Sequence, residues 1–217
     1  MALLYEYAPA LSKKQIVFQF TDKLLVASLF DQPNTALVHC ATSEYALDNQ
    51  IIDGMIINRV KVASLITTFI AEQNVEYAGI TFIFDEPFVQ QEIVYRSDKA
   101  IQDYLAQTWK DHQRQSHYLF SWEHEFCFYV CAIAQPALFG YMLLASGRPL
   151  QAITTRFASL LRLYKQQHKS LSQSQLALTM RAHEHTVPID YAKLADMFTL
   201  PKGVAIEHIA PAIGAVL

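Results

Sequence analysis

QIVFQFTDKLLVASLFD, from Gln15 to Asp31, is the stretch whose reading decides the fold. Residues 16–20 and 24–30 are nearly unbroken apolar runs rich in Val, Phe, Leu and Ile, the pattern of strands covered on both faces. The small polar knot between them, Thr21-Asp22-Lys23, reads as a hairpin turn. Hairpins that hold phosphate carry glycine at such a turn and an acid just before it. This one has neither. Gln32-Pro33-Asn34-Thr35 reads as a second turn, and Ala36 to Cys40 as a third strand. Three adjoining antiparallel strands then open the chain as a meander.

Outward from the meander, helix and strand alternate. Asn58 is placed as a helix cap, and Val62, Leu65, Ile66, Phe69 and Ile70 come next with the spacing of a one-sided apolar stripe. GITFIFDEP reads as a buried strand ended by proline, and FVQQEIVYRSD as a looser one. Ile101, Tyr104, Leu105, Thr108 and Trp109 mark a second amphipathic helix. HYLFSWEHEFCFYVCAIAQ predicts a hairpin, with strands near 117–122 and 126–134 around a polar Glu123-His124-Glu125 tip. Pro136 starts a helix that Gly147 ends. Leu150 to Ile153 is a short strand, and a Thr154 or Thr155 cap leads into a helix bearing Phe157, Leu160, Leu161 and Tyr164. After the polar tract KSLSQSQ only helical signals remain, with Asp190 as a cap and Pro201 as a stop.

Composition narrows the function classes. Of 217 residues, 52% are hydrophobic and 17% charged, against about 25% charged in a typical soluble domain. A well-filled interior and a surface partly covered by a partner are expected. The net charge is −3 with no basic block, so nucleic acid, whose phosphates need clustered Lys and Arg, is not an expected ligand. No apolar run reaches the ~18–20 residues of a membrane span. MALLYEYAPALSKK lacks a basic start, so no signal peptide is expected. Three cysteines (Cys40, Cys127, Cys131) with no close CxxC pair fit free thiols in a reducing compartment.

The hairpin at 16–30, the phrase IIDGMIINRVKVASLITTFIAEQNVEYAGITFIF and the phrase ALFGYMLLASGRPLQAITTRFASLLRLY together resemble the actin-like PilM family of type IV pilus assembly proteins, with its competence and HofM-type relatives. That family has a leading phosphate-loop hairpin, a phrase like (V)DG-x-I, then a helix and a buried strand. Here the phrase is Ile52-Asp53-Gly54-Met55-Ile56, succeeded by the 59–72 helix and the 80–84 strand. The likeness runs over residues 15–165, and the ending IAPAIGAVL is similar to the small-residue helix that closes such folds. The departures sit at the nucleotide clamp. Where the family's first loop reads D-x-G-S/T, this chain has Gln19, Phe20, Thr21 and Asp22. An amide replaces the metal-orienting acid and Thr21 the glycine, with Asp22 beside it to repel an anion. No second D-x-G hairpin occurs after Ile153. The resemblance thus implies a hairpin kept as scaffold, with no bound cofactor and no metal.

Other chemistry finds little support in the residues. In a strand, Cys127 and Cys131 share a parity with Glu123 and Glu125 while His124 points the other way, and no HxxxH or CxxC occurs. His183-Glu184-His185 reads as an exposed helix end, because alternate helical residues do not converge on one ion. There is no GxSxG, Ser146-Gly147 is better explained as a helix terminus, and Asp85-Glu86 before Pro87 reads as an exposed strand end. Cys127 and Cys131 are expected to be buried and inert. The aromatics stand apart: Tyr118, Phe120 and Trp122 share one strand face, and Phe126, Phe128 and Val130 share one on the next. They form either core or a peptide groove.

The expected protein is α/β: a reduced actin-like (ribonuclease H-like) mixed sheet with a small inserted subdomain and a helical C-terminal tail. Residues 1–85 and 123–170 would make the main subdomain, 86–122 the insert, and 171–217 the helical segment. The resemblance implies a non-enzymatic cytoplasmic scaffold of a pilus or competence machine, peripheral at the inner membrane through a bitopic PilN-like protein. That partner's N-terminal peptide would be bound in extended form, with Phe88, Tyr95, Tyr118, Phe120 and Trp122 as the expected partner-binding residues. The alternatives are a small nucleotide-binding or nucleotide-hydrolysing enzyme with a variant loop, and a metal or small-molecule sensor.

Overall fold

The computed structural model describes residues 14–32, 37–52, 54–75, 78–85, 88–95, 103, 115–122, 127–134, 150–172, 175, 179, 187–198 and 205–217. Strands β1 (Lys14–Phe20), β2 (Leu24–Asp31) and β3 (Val38–Ala46) form the expected meander. The third strand starts later and runs further than the sequence pattern suggests, because Thr42 to Ala46 continue the pairing with β2. A small hairpin of β4 (Ile51–Ile52) and β5 (Met55–Ile56) comes next. Its turn needs Gly54, whose φ is 72°, a value that costs a residue with a Cβ but not glycine.

Helix α1 (Arg59–Glu72) begins at Asn58, whose Oδ1 accepts from the Lys61 amide at 3.0 Å. Its stripe of Val62, Ile66 and Phe69 is fully buried, with Leu65 and Ile70 packed at the margin. Strand β6 (Gly79–Phe84) then runs parallel to β1 on the side away from β2. Far along the chain, β10 (Leu150–Thr155) pairs in parallel with β6. The main sheet has the order β10-β6-β1-β2-β3. Only β2 runs against the rest.

Each face of this sheet carries its own core. On one, Phe18 lies 6.0 Å edge-on to Phe69 of α1 and stacks on Phe82 at 5.8 Å. Such ring pairs add about 0.5–1.5 kcal/mol beyond their burial. On the other, Val17, Phe30 and Ile83 pack with Leu163, Leu194, Ile209 and Ile213. Those residues come from α2 (Arg156–Gln167), α3 (Tyr191–Met197) and α4 (Ile206–Val216). Thr155, one of the two threonines the sequence offers, caps α2 through the Ala158 amide at 3.1 Å, and Asp190 caps α3 through the Lys193 amide at 2.9 Å, as the sequence predicts. Gln167 ties the two helices, donating to the Asp190 carbonyl at 2.7 Å and accepting from its amide. Helix α4 lies so close to α2 that only glycine fits at position 214. A Cβ there would overlap the Ser159 carbonyl oxygen, sit 2.7 Å from its carbon and 3.3 Å from Leu163 Cβ.

A second sheet stands apart from the first. It consists of β7 (Val89–Tyr95), β8 (Gln115–Trp122) and β9 (Cys127–Ala134), in the order β7-β9-β8 and antiparallel throughout. Because β9 is its central strand, this sheet continues past residue 122, the expected end of the insert. The helices expected at 101–109 and 136–146, the Glu123-His124-Glu125 tip, His183 to His185 and the Pro201 stop lie outside the described residues, apart from the single helical position Asp103.

Candidate functional site

In open α/β sheets, ligands collect at the carboxyl ends of parallel strands, and here that edge is made by β1, β6 and β10. Their last residues, Phe20, Phe84 and Thr155, stand in one row. The row beneath them is Gln19, Ile83 and Thr154. The turns and helix that leave these strands carry the groups available for chemistry.

After β1 comes the Thr21 turn, in which the amides of Thr21, Lys23 and Leu24 are bonded within the turn. The Thr21 amide donates to the Leu24 carbonyl at 2.9 Å. The amides of Lys23 and Leu24 donate to Thr21 Oγ1 at 3.2 and 2.9 Å, and that hydroxyl donates to the Leu24 carbonyl at 3.3 Å. A phosphate cradle needs amides free to point at an anion. The threonine hydroxyl has taken their place, closing the turn from inside. Sequence reasoning saw the lost glycine but missed this second role of Thr21. A Thr three residues before the next strand is the signal for it.

After β6 comes Asp85, whose amide bonds the Phe20 carbonyl at 3.1 Å. Its Oδ2 accepts from Arg156 Nη1 at 3.0 Å, with the two side chains 21% and 40% exposed. The sequence reading of Asp85 as an exposed strand end is thereby corrected, since the acid is largely covered and ion-paired across the sheet edge. No local pattern could reveal a partner 71 residues away. In the lower row, Arg162 Nη2 donates to Thr154 Oγ1 at 2.8 Å. Gln19 is buried, and its Oε1 has no hydrogen-bond partner.

Aromatic rings fill the space that the edge encloses on the α1 face. Phe20 stacks on Phe84 at 6.0 Å, and Phe88 meets both, at 6.3 and 5.7 Å. Phe88 is 1% exposed, so the first of the five expected partner-binding residues is part of the main core. The other four lie on the second sheet, where the backbone register relates them. Tyr95 pairs with Cys127 and Cys127 with Trp122, Phe120 with Tyr129, and Tyr118 with Cys131. Tyr95 and Trp122 therefore occupy one row across β7, β9 and β8, and the side chains of these strands, apart from the buried Val89, lie outside the described residues.

The remaining titratable groups are scattered. His39 is buried beside Phe30, its Nε2 sharing a 2.6 Å bond with Thr42 Oγ1, and burial lowers its pKa. Cys40 is exposed on β3, and desolvation raises its thiol's pKa. His208 Nδ1 and Glu44 Oε1 meet at 2.5 Å, linking α4 to β3. Among the described residues, no three of His, Cys, Asp and Glu converge as a metal site would need.

No family model and no curated relative matches the chain at the sequence level. Solved structures do resemble it. A PilM–PilN type IV pilus biogenesis complex superposes with a TM-score of 0.51 at 13% identity, over 73% of this chain and 52% of that one. The cytoplasmic domain of EpsL, an inner-membrane component of the Vibrio cholerae type II secretion system, gives 0.46 at 8% identity over 67% and 58%. A Bacteroides thetaiotaomicron protein with an actin-like ATPase fold gives 0.41 at 7% identity over 72% and 57%. The chain spans about half the length of the pilus protein it matches. The strand order, with β2 alone reversed, and the pilus-complex likeness together fix its architecture as an α/β fold of the actin-like, ribonuclease H-like kind.

Proposed function

We propose that this protein is a non-enzymatic assembly scaffold of a pilus or secretion machine. It would bind, as an extended peptide, the cytoplasmic N-terminus of a PilN-like inner-membrane protein. The observation that carries this reading is the Thr21 turn, in the place of an actin-like phosphate hairpin, where the Lys23 and Leu24 amides bond the threonine's own hydroxyl. Asp85, already paired with Arg156, and the neutral Gln19 supply no free carboxylate to orient a metal. The sheet then serves as a rigid frame, and recognition belongs to the second sheet, where Tyr95, Tyr118, Phe120 and Trp122 come into register. Among the described residues no helix is long and apolar enough to cross a membrane, so attachment would run through the partner.

The rival reading is a nucleotide-binding enzyme with a variant loop. One observation favours it, the unpartnered Gln19 Oε1 at the carboxyl edge. A pair of calorimetric titrations decides between the two readings. A synthetic N-terminal peptide of the PilN-like protein from the same organism should bind in the micromolar range, about 8 kcal/mol. Replacing Trp122 or Phe120 by Ala should weaken it by about 2 kcal/mol or more. Mg-ATP should show no binding tighter than about 1 mM. Tight Mg-ATP binding with no response to the peptide would reverse the assignment.

A further inference from the structure

The main sheet has two edges, and they differ. On β10 the residues Ile153, Thr154 and Thr155 are buried. On β3 His39 alone is buried, and among the described residues β3 pairs only with β2. Its outward backbone groups have no hydrogen-bond partner among the described residues. Sheet edges are usually guarded by lysine, proline or a bulge, because an open edge templates pairing with another chain. From Val38 to Ala46 there is no Lys, Arg or Pro, and the one acid is Glu44. His208 of α4 already holds that carboxylate. A bulge at Cys40, between the pairs Phe30–His39 and Leu29–Ala41, guards the first half of the strand. Among the described residues, the regular stretch from Ala41 to Ala46 has no strand on its outer side.

We propose that this stretch pairs antiparallel with the same stretch of a second copy, joining two five-stranded sheets across a two-fold axis at Ser43. Charge and geometry select that occupant and that register. A two-fold axis normal to a sheet preserves its faces, so each residue meets one of its own parity and the axis lies midway between one residue and its own copy. An axis at Glu44 would set two carboxylates opposite each other, which is destabilising. An axis at Thr42 would carry the pairing onto the bulge at Cys40. At Ser43, Ala41 meets Tyr45 and Thr42 meets Glu44 of the other copy, and the terminal Ala46 alone comes opposite the bulge. The lone acid thus faces a neutral hydroxyl residue, so the edge is complementary to itself.

The test uses the full chain. Sedimentation should show a reversible monomer–dimer equilibrium in the wild type. Ser43→Lys, which sets two ammonium groups on the axis, should weaken self-association at least tenfold. Ser43→Val, a good strand former, should leave it within about threefold by the same principle. Circular dichroism confirms that both variants fold. In a Cys40→Ser background, Ser43→Cys should form a disulfide dimer under mild oxidation faster than Cys40→Ser alone. Directly opposed antiparallel residues have Cα atoms about 4.5–5.5 Å apart, within disulfide reach. A wild type monomeric up to about 1 mM overturns the proposal and leaves the edge for a different chain. A dimer indifferent to Ser43→Lys, or no cross-linking above the background, overturns it by placing the contact elsewhere.

Discussion

Gly214→Ala sets two physical effects against each other on one methyl group. In a bare helix the change gains about 1 kcal/mol, because alanine restricts the unfolded chain and suits the helix. Here the new Cβ lands on the Ser159 carbonyl, 2.7 Å from its carbon. The obstacle is backbone, so no rotamer change relieves it, and α4 must shift off α2. That shift loosens Ile209 and Ile213 against Val17, Ile83 and Leu163, all of them buried. Overpacking typically costs about 1–3 kcal/mol. A rigid obstacle belongs at the upper end, so the net loss should be about 2 kcal/mol. For a chain of this size that lowers Tm by roughly 4–8 °C. Urea unfolding monitored by circular dichroism should show a lower midpoint at unchanged slope. Ala215→Gly, one residue away and only half-buried, should lose about 1 kcal/mol through propensity alone. A Gly214→Ala protein as stable as the wild type would refute the close-approach argument.

Three further outcomes are expected. Phe88→Ala should cost about 3–5 kcal/mol in denaturant unfolding while leaving peptide capture intact where the protein remains folded; lost capture at unchanged stability would return Phe88 to the binding surface. Thr21→Val removes the acceptor for the Lys23 and Leu24 amides and should destabilise by about 1–2 kcal/mol; an unchanged melting curve would mean that water replaces the hydroxyl at no cost. Burial holds His39 below its ordinary value of 6.5, so the stability of its neutral ring is complete above that pH and is lost as pH falls through the folded-state pKa. Unfolding measured from pH 7.5 to 5, an interval chosen around the ordinary histidine range, should show a downward slope that His39→Gln flattens, and equal slopes in the two proteins would exclude His39 as its source.

Much of the main sheet was legible because its signals are local. The apolar runs around Thr21-Asp22-Lys23, the Asn58 cap with its stripe from Val62 to Phe69, and the caps at Thr155 and Asp190 each combine a strong pattern with a terminator. The length of β3 was not legible, since HCATSEYA mixes exposed and buried positions and alternates poorly. The site was harder to read. Asp85 and Arg156 are paired only because β6 and β10 are neighbours, a fact of topology. Phe88 was expected at a binding surface because the insert region holds more aromatics than a small subdomain can easily bury. In space its ring turns back between Phe20 and Phe84, where burial outweighs any local cue.

Strands β6 and β10 are hydrogen-bonded neighbours, yet residues 85–149 separate them, and the whole second sheet is threaded through that interval. The entropy of closing a loop grows only with the logarithm of its length, about 0.6 kcal/mol per doubling. Exchanging the second sheet for a shorter or longer segment therefore changes the closure cost of the β6–β10 pair very little, while the Phe20–Phe84–Phe88 cluster anchors the chain where it leaves β6. Such a junction lets the second sheet diverge in length and sequence under weak constraint from the frame that carries it.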